Sequence, residues 1–134
     1  MSNLSKRFQS LKALSQAEAG RAAAIKQAYQ LLITVTSAKV LGAEWDPFWN
    51  AVIFITDDEN VFMVTLNDDP GVGILVRCKT CRALFWVRVN ATNLFYISRG
   101  HIPPNTHRCG QSVPVIPPHT RDTIRQVNVP ELQA

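Results

Sequence analysis

Every cysteine of this chain falls between Cys78 and Cys109. The stretch reads Cys78-Lys79-Thr80-Cys81, then two short apolar runs, then His107-Arg108-Cys109. Two cysteines separated by two residues, followed at a distance by a His/Cys pair, supply four soft N and S ligands, the set a tetrahedral zinc ion takes. The 25 residues from 82 to 106 are enough for one antiparallel hairpin that returns the far pair to the near one. Cys78 and Cys81 can both turn toward one point on a tight turn. His107 and Cys109, at i and i+2 of an extended segment, point to one face. Cys78, Cys81, His107 and Cys109 are therefore the expected ligands of a Zn2+ ion, with His101 the competitor for His107 and His119 assigned to a solvated tail. Two other readings stand beside this one: a redox pair at Cys78/Cys81, which wants a βαβ context, and three unrelated buried cysteines.

Length and composition frame the rest. A chain of 134 residues, 46% hydrophobic and 18% charged, is a soluble globular protein of one domain or one domain with an appendage. No apolar run approaches the roughly 18 residues of a membrane span. The basic N-terminus lacks the apolar core and small-residue cleavage site of a secretory signal. Three cysteines suit thiolate ligands in a reducing cytoplasm better than an extracellular disulfide framework.

The helix periodicity comes first in the chain. Leu4, Phe8, Leu11 and Leu14, then Ala22, Ile25, Tyr29 and Leu32, recur at three- and four-residue steps. Ser15-Gln16-Ala17-Glu18 matches a capping box, so the segment is one long helix or a helical hairpin broken near residue 14. Gly20 argues for a break or a close packing contact there. The stripe is read as core, with a homo-oligomer or partner interface through this helix as the sharper alternative. From Ile33 to Thr36 β-branched residues favour a strand. Trp45-Asp46-Pro47-Phe48-Trp49 reads as an aromatic loop. Residues 51–56 and 61–66 form a hairpin around Asp57-Asp58-Glu59-Asn60, apolar enough to be covered on both faces. Beyond Cys81, Leu84–Val89 is expected to turn at Asn90–Asn93 and return as a strand over Leu94–Arg99. The fold class is thus α+β with an antiparallel β-sheet: an N-terminal helix or helical hairpin over 1–32, a β-hairpin core over 33–76, a zinc ribbon over 77–112, and a proline-rich extended tail over 113–134.

Charge is segregated along the chain. Residues 40–70 carry seven carboxylates and no Lys or Arg; residues 75–110 carry six cations and no carboxylate. Cations around aromatic rings attract phosphate and offer faces on which unpaired bases stack. Arg77, Lys79, Arg82, Trp86, Arg88, Tyr96, Arg99 and Arg108 are the expected nucleic-acid-binding residues, with Arg82, Arg88 and Arg108 leading the phosphate contacts.

The string Arg77-Cys78-Lys79-Thr80-Cys81, then Leu84-Phe85-Trp86-Val87, a turn, and Thr106-His107-Arg108-Cys109 resembles the small Cys-x-x-Cys/His-x-Cys zinc ribbons of phage and mobile-element proteins. The resemblance covers residues 77–110. It lacks a Cys-Pro-x-Cys-Gly second knuckle and a glycine directly after Cys81. A closed four-ligand site leaves no position for water or substrate. The expectation is accordingly a non-enzymatic zinc-ribbon protein that binds nucleic acid, DNA included, as an accessory or regulatory factor. The alternative is a protein–protein adaptor stabilised by the same ion.

Overall fold

The computed structural model describes residues 2–111 and 128–133, with side chains from residue 16 onward. The side chains of the stripe positions Leu4, Phe8, Leu11 and Leu14, and all of His119 and the prolines of 113–127, lie outside that description.

The fold is α+β. One helix, α1 (Ser2–Leu32, 31 residues), runs unbroken through the capping-box motif and Gly20; at 1.5 Å per residue it is about 46 Å long. Among its described side chains the buried face is Ala24, Ala28 and Leu32, while Ala22 and Tyr29 of the expected stripe are exposed. Small residues at four-residue steps let the helix lie close on the sheet. Gly20 continues the row: a Cβ there would stand 3.7 Å from the Trp45 ring. Ile33–Thr36 do not form the expected strand. Their N–H groups close on the carbonyls of Tyr29, Leu31 and Leu32, and the Thr34 hydroxyl donates to Leu31 O at 2.6 Å. Local bonds to the helix end thus outcompete β-branched propensity.

Five antiparallel strands follow as a meander in the order β1-β2-β3-β4-β5: β1 (Val40–Asp46), β2 (Ala51–Thr56), β3 (Val61–Thr65), β4 (Gly71–Cys78) and β5 (Leu84–Arg88). Trp45 and Asp46 belong to β1, so only the end of the aromatic stretch is a turn; there the Asp46 carboxylate accepts from Phe48 N–H at 2.9 Å and Trp49 N–H at 3.2 Å. As the near-continuous apolar runs require, both faces of the central strands are buried. Val52, Phe54, Phe62, Val64, Ile74 and Val76 pack with α1, while Ile53, Val61 and Leu75 form a second cluster with Val129.

Leu94–Arg99 is the main departure from expectation. The segment is a helix, α2 (Ala91–Ile97), not a returning strand. Asn90 caps it, its Oδ1 accepting from Asn93 N–H at 2.8 Å, and Asn93 Nδ2 donates back to Arg88 O at 2.8 Å. At the other end Gly100 takes φ +77°, and the bonds from Gly100 N–H to Ile97 O and from His101 N–H to Tyr96 O close a Schellman motif. Finally β6 (Glu131–Leu132) pairs parallel with the end of β4, so the last described part of the tail lies on the body. Among the described residues no helix is long and apolar enough to cross a membrane.

Candidate metal centre

Strand β4 delivers the first ligand. Its alternation puts Ile74, Val76 and Cys78 on the helix side, and Cys78 is fully buried at the strand's end. The chain then reverses sharply: Arg82 N–H donates to Cys78 O at 2.8 Å and Cys78 N–H to Ala83 O at 2.9 Å, which carries Cys81 around to face Cys78. Arg82 closes this turn at φ +66°. That is the left-handed conformation glycine takes without strain, and a side chain there costs roughly 1–2 kcal/mol. The missing glycine after Cys81 is thus replaced by a strained arginine, and the knuckle closes all the same.

The second pair arrives on irregular chain. After α2, Pro103 is fully buried, and Thr106 Oγ1 donates to Pro103 O at 2.6 Å, bending the chain toward His107. The His107 ring stacks on Phe85 of β5, with centroids 4.3 Å apart and planes 6° from parallel. This contact fixes the ring plane and aims Nε2 inward. Gly110, at φ +87°, turns the chain after Cys109 and gives its N–H to the Cys81 sulfur.

The four expected ligands meet. Cys78 Sγ lies 3.4 Å from Cys109 Sγ and Cys81 Sγ lies 3.2 Å from His107 Nε2. All four donor atoms fall within 4.8 Å of one another. A tetrahedral ion with sulfur at about 2.3 Å and nitrogen at about 2.0 Å spaces its ligands about 3.5–3.8 Å apart. The cluster can therefore hold a metal ion with only small adjustments, and its thiolate and imidazole donors suit a soft or borderline ion rather than Mg2+ or Ca2+. His101 is exposed and bridged to Gln133 and is not part of the cluster, whose histidine is His107.

Electrostatics differ among the thiols. Burial opposes ionisation of Cys78, but N–H groups of Cys81 and Thr80 and the Cys109 thiol outweigh it and bring Cys78 down to about 7. Cys81 is lowered by the N–H groups of Gly110 and Ala83. Cys109, though exposed, is pushed up to about 11 by its hydrogen bond to Cys78, by partial desolvation of its sulfur among the other ligating atoms, and by the charges of Cys78 and Cys81. Two sulfurs are thus predisposed to ionise, and the third waits for a cation.

The expected nucleic-acid residues are scattered around this centre. Arg77 and Arg82 border a hollow that also contains Glu131. Trp86 and Arg108 border another beside His107. Trp86 packs against the Ile53–Leu75 cluster and is half-buried. Arg99 and Tyr96 sit on or beside α2, with the Arg99 guanidinium 3.6 Å from the exposed Phe95 ring. Lys79 and Arg108 are exposed. Arg82 and Arg88 are engaged: Arg82 pairs with Glu131 at 2.6 Å and Arg88 with Asp69 at 3.6 Å. The carboxylate-free block is a property of sequence position, and folding brings acids from either side of it. Phe95, one of the rings among those cations, is 53% exposed beneath Arg99, on a helix where the composition predicts a strand. Asn90 as cap and Gly100 as stop were the available signals. Comparison with protein-family models, with curated proteins and with solved structures finds no match to this chain.

Proposed function

We propose that the centre holds a structural Zn2+ ion and that the chain is a non-catalytic zinc-ribbon protein whose basic surface binds nucleic acid. The convergence of three sulfurs and one imidazole nitrogen carries the first part. Four protein ligands close the coordination sphere, so the ion's role is to join two chain segments rather than to activate water.

The nucleic-acid part is supported by Lys79 and Arg108 beside the two knuckles and by the exposed Phe95 with Arg99 stacked on it. An exposed ring next to a guanidinium offers a base a stacking partner and its phosphate a cation. Arg82 and Arg88, already paired, are secondary. A second reading, docking of a partner protein, is favoured by two exposed apolar side chains on and just beyond the edge strand β1, Leu41 at 63% and Phe48 at 83%.

The test combines metal analysis of the purified protein with binding to single- and double-stranded oligonucleotides over a salt series. One zinc per chain and binding that weakens steeply with salt are expected. Absence of binding at low salt would remove the nucleic-acid reading and leave the adaptor. Absence of bound metal in protein purified without chelator would remove the zinc.

A further inference from the structure

The C-terminal segment reaches both halves of the metal centre through its backbone. On one side Arg77 N–H donates to Pro130 O at 2.9 Å, and Lys79 N–H, inside the Cys-x-x-Cys turn, donates to Leu132 O at 2.8 Å. On the other side Ile102 N–H donates to Gln133 O at 2.7 Å and Gln133 N–H to Gly100 O at 2.9 Å, on the segment that leads into His107. β3 ends its pairing with β4 at Ile74, and the parallel pairing of Arg77 with Glu131 and of Cys78 with Leu132 takes up the edge further along β4. Side chains anchor the insertion. Leu132 is buried in the same cluster as Cys78, with Cys81 and Ile102 packed against it, and Val129 is buried in the cluster on the other face. Arg82, the residue held at positive φ in the knuckle, reaches Glu131.

We propose that the metal centre contains a strand-binding slot, between the end of β4 and residues 100–102, whose occupant is the chain's own Val129–Gln133 segment, and that occupancy of the slot sets how firmly the ion is held. The proposal rests on the metal reading above. The ligands come from two chain segments, and an ion is released when those segments separate. A strand hydrogen-bonded to both opposes that separation. Because the coupling is reciprocal, the bound ion holds the strand in its slot by the same factor. Arg82 and Glu131 act as the latch, and neither touches the ion.

The experiment loads the full chain with Zn2+ and follows its transfer to a chromogenic chelator. Three proteins are compared: the full chain, a chain ending at residue 127, and the full-length variant Gln133→Pro, which loses the N–H given to Gly100 and keeps the carbonyl that accepts from Ile102. Release is expected at least about tenfold faster from the shortened chain and several-fold faster from Gln133→Pro. A peptide spanning residues 128–134, added in trans, should restore slow release to the shortened chain, and the reversed peptide should not. If the full chain takes up zinc but releases it at the same rate as both altered proteins, the slot has no hold on the ion and the proposal is overturned while the metal reading stands. If the full chain takes up no zinc, both fall. Should the shortened chain fail to fold, Gln133→Pro decides.

Discussion

Cys78 and Cys109 bring their sulfurs within 3.4 Å of each other from opposite kinds of structure. Cys78 is the last residue of a central strand, fully buried and fixed by pairing on both edges of β4. Cys109 is exposed on a segment without strand or helix, and its partner His107 owes its orientation to one stacking contact. The first half of the centre is therefore part of the sheet, while the second is irregular chain held to it by local contacts. An ion held by these four side chains would fix a loop onto a sheet that is already formed, so removing it should cost the second half its order and spare the first.

The largest effect belongs to the first knuckle. Cys78→Ala removes a ligand and a buried side chain together. With zinc present it should forfeit most of the coupling between binding and folding, on the order of 10 kcal/mol for small zinc sites, and in chelator it should still cost about 1–2 kcal/mol through lost packing. Cys109→Ser should abolish tight metal uptake to a similar degree, yet in chelator its stability should match the unmodified chain within about 0.5 kcal/mol, as for an exposed side chain. Denaturant unfolding of both variants with zinc and with chelator makes the comparison. Equal costs in chelator would show that the two knuckles are built alike.

Proton release gives a finer reading of the same difference. A thiol must lose its proton to ligate, so uptake at a given pH releases one proton for each sulfur still protonated. Cys109, pushed up to about 11, carries its proton throughout the range from pH 6 to 8 and contributes a tenfold loss of affinity for each unit of falling pH. Cys78, near 7, adds its share only as the pH falls through that value. The plot of log affinity against pH should therefore steepen below about pH 7. Competition titrations with a chelator of known pH dependence check this, and a flat profile would mean that Cys109 is not a ligand.

The same contrast explains what could be read without the fold. The convergence of the four side chains was legible because the spacing of Cys78 and Cys81 is a local turn property and the His-x-Cys spacing another. The sheet was legible because β2 and β3 are almost continuously apolar, and only a strand covered on both faces accommodates that. The path between the knuckles was not. Leu94-Phe95-Tyr96-Ile97 has strand composition, and the deciding forces are at its ends, in the Asn90 cap and the Gly100 stop. Nor was the buried face of α1 legible: Ala24 and Ala28 carry little hydrophobic weight in a pattern, and they are chosen because the sheet lies close. The charge block misled for a related reason, since counting along the chain does not see Asp69 and Glu131 folding back onto Arg88 and Arg82.

The smallest predicted effect concerns the strain inside the well-built half. Arg82 holds φ +66° where the Cys-x-x-Cys turn closes, and its guanidinium meets Glu131 in a half-exposed pair. Exposed pairs contribute little, about 0–1 kcal/mol, so the arginine does not repay the strain through that contact alone. Two substitutions separate the terms. Arg82→Ala loses the pair and keeps a Cβ at positive φ; Arg82→Gly loses the pair and relieves the strain. With zinc bound, Arg82→Gly should be the more stable of the two by about 1 kcal/mol, measured as the difference between their unfolding midpoints at unchanged slope. If Arg82→Ala were equally stable, the turn after Cys81 would not depend on a left-handed backbone, and the absence of glycine there would carry no structural cost.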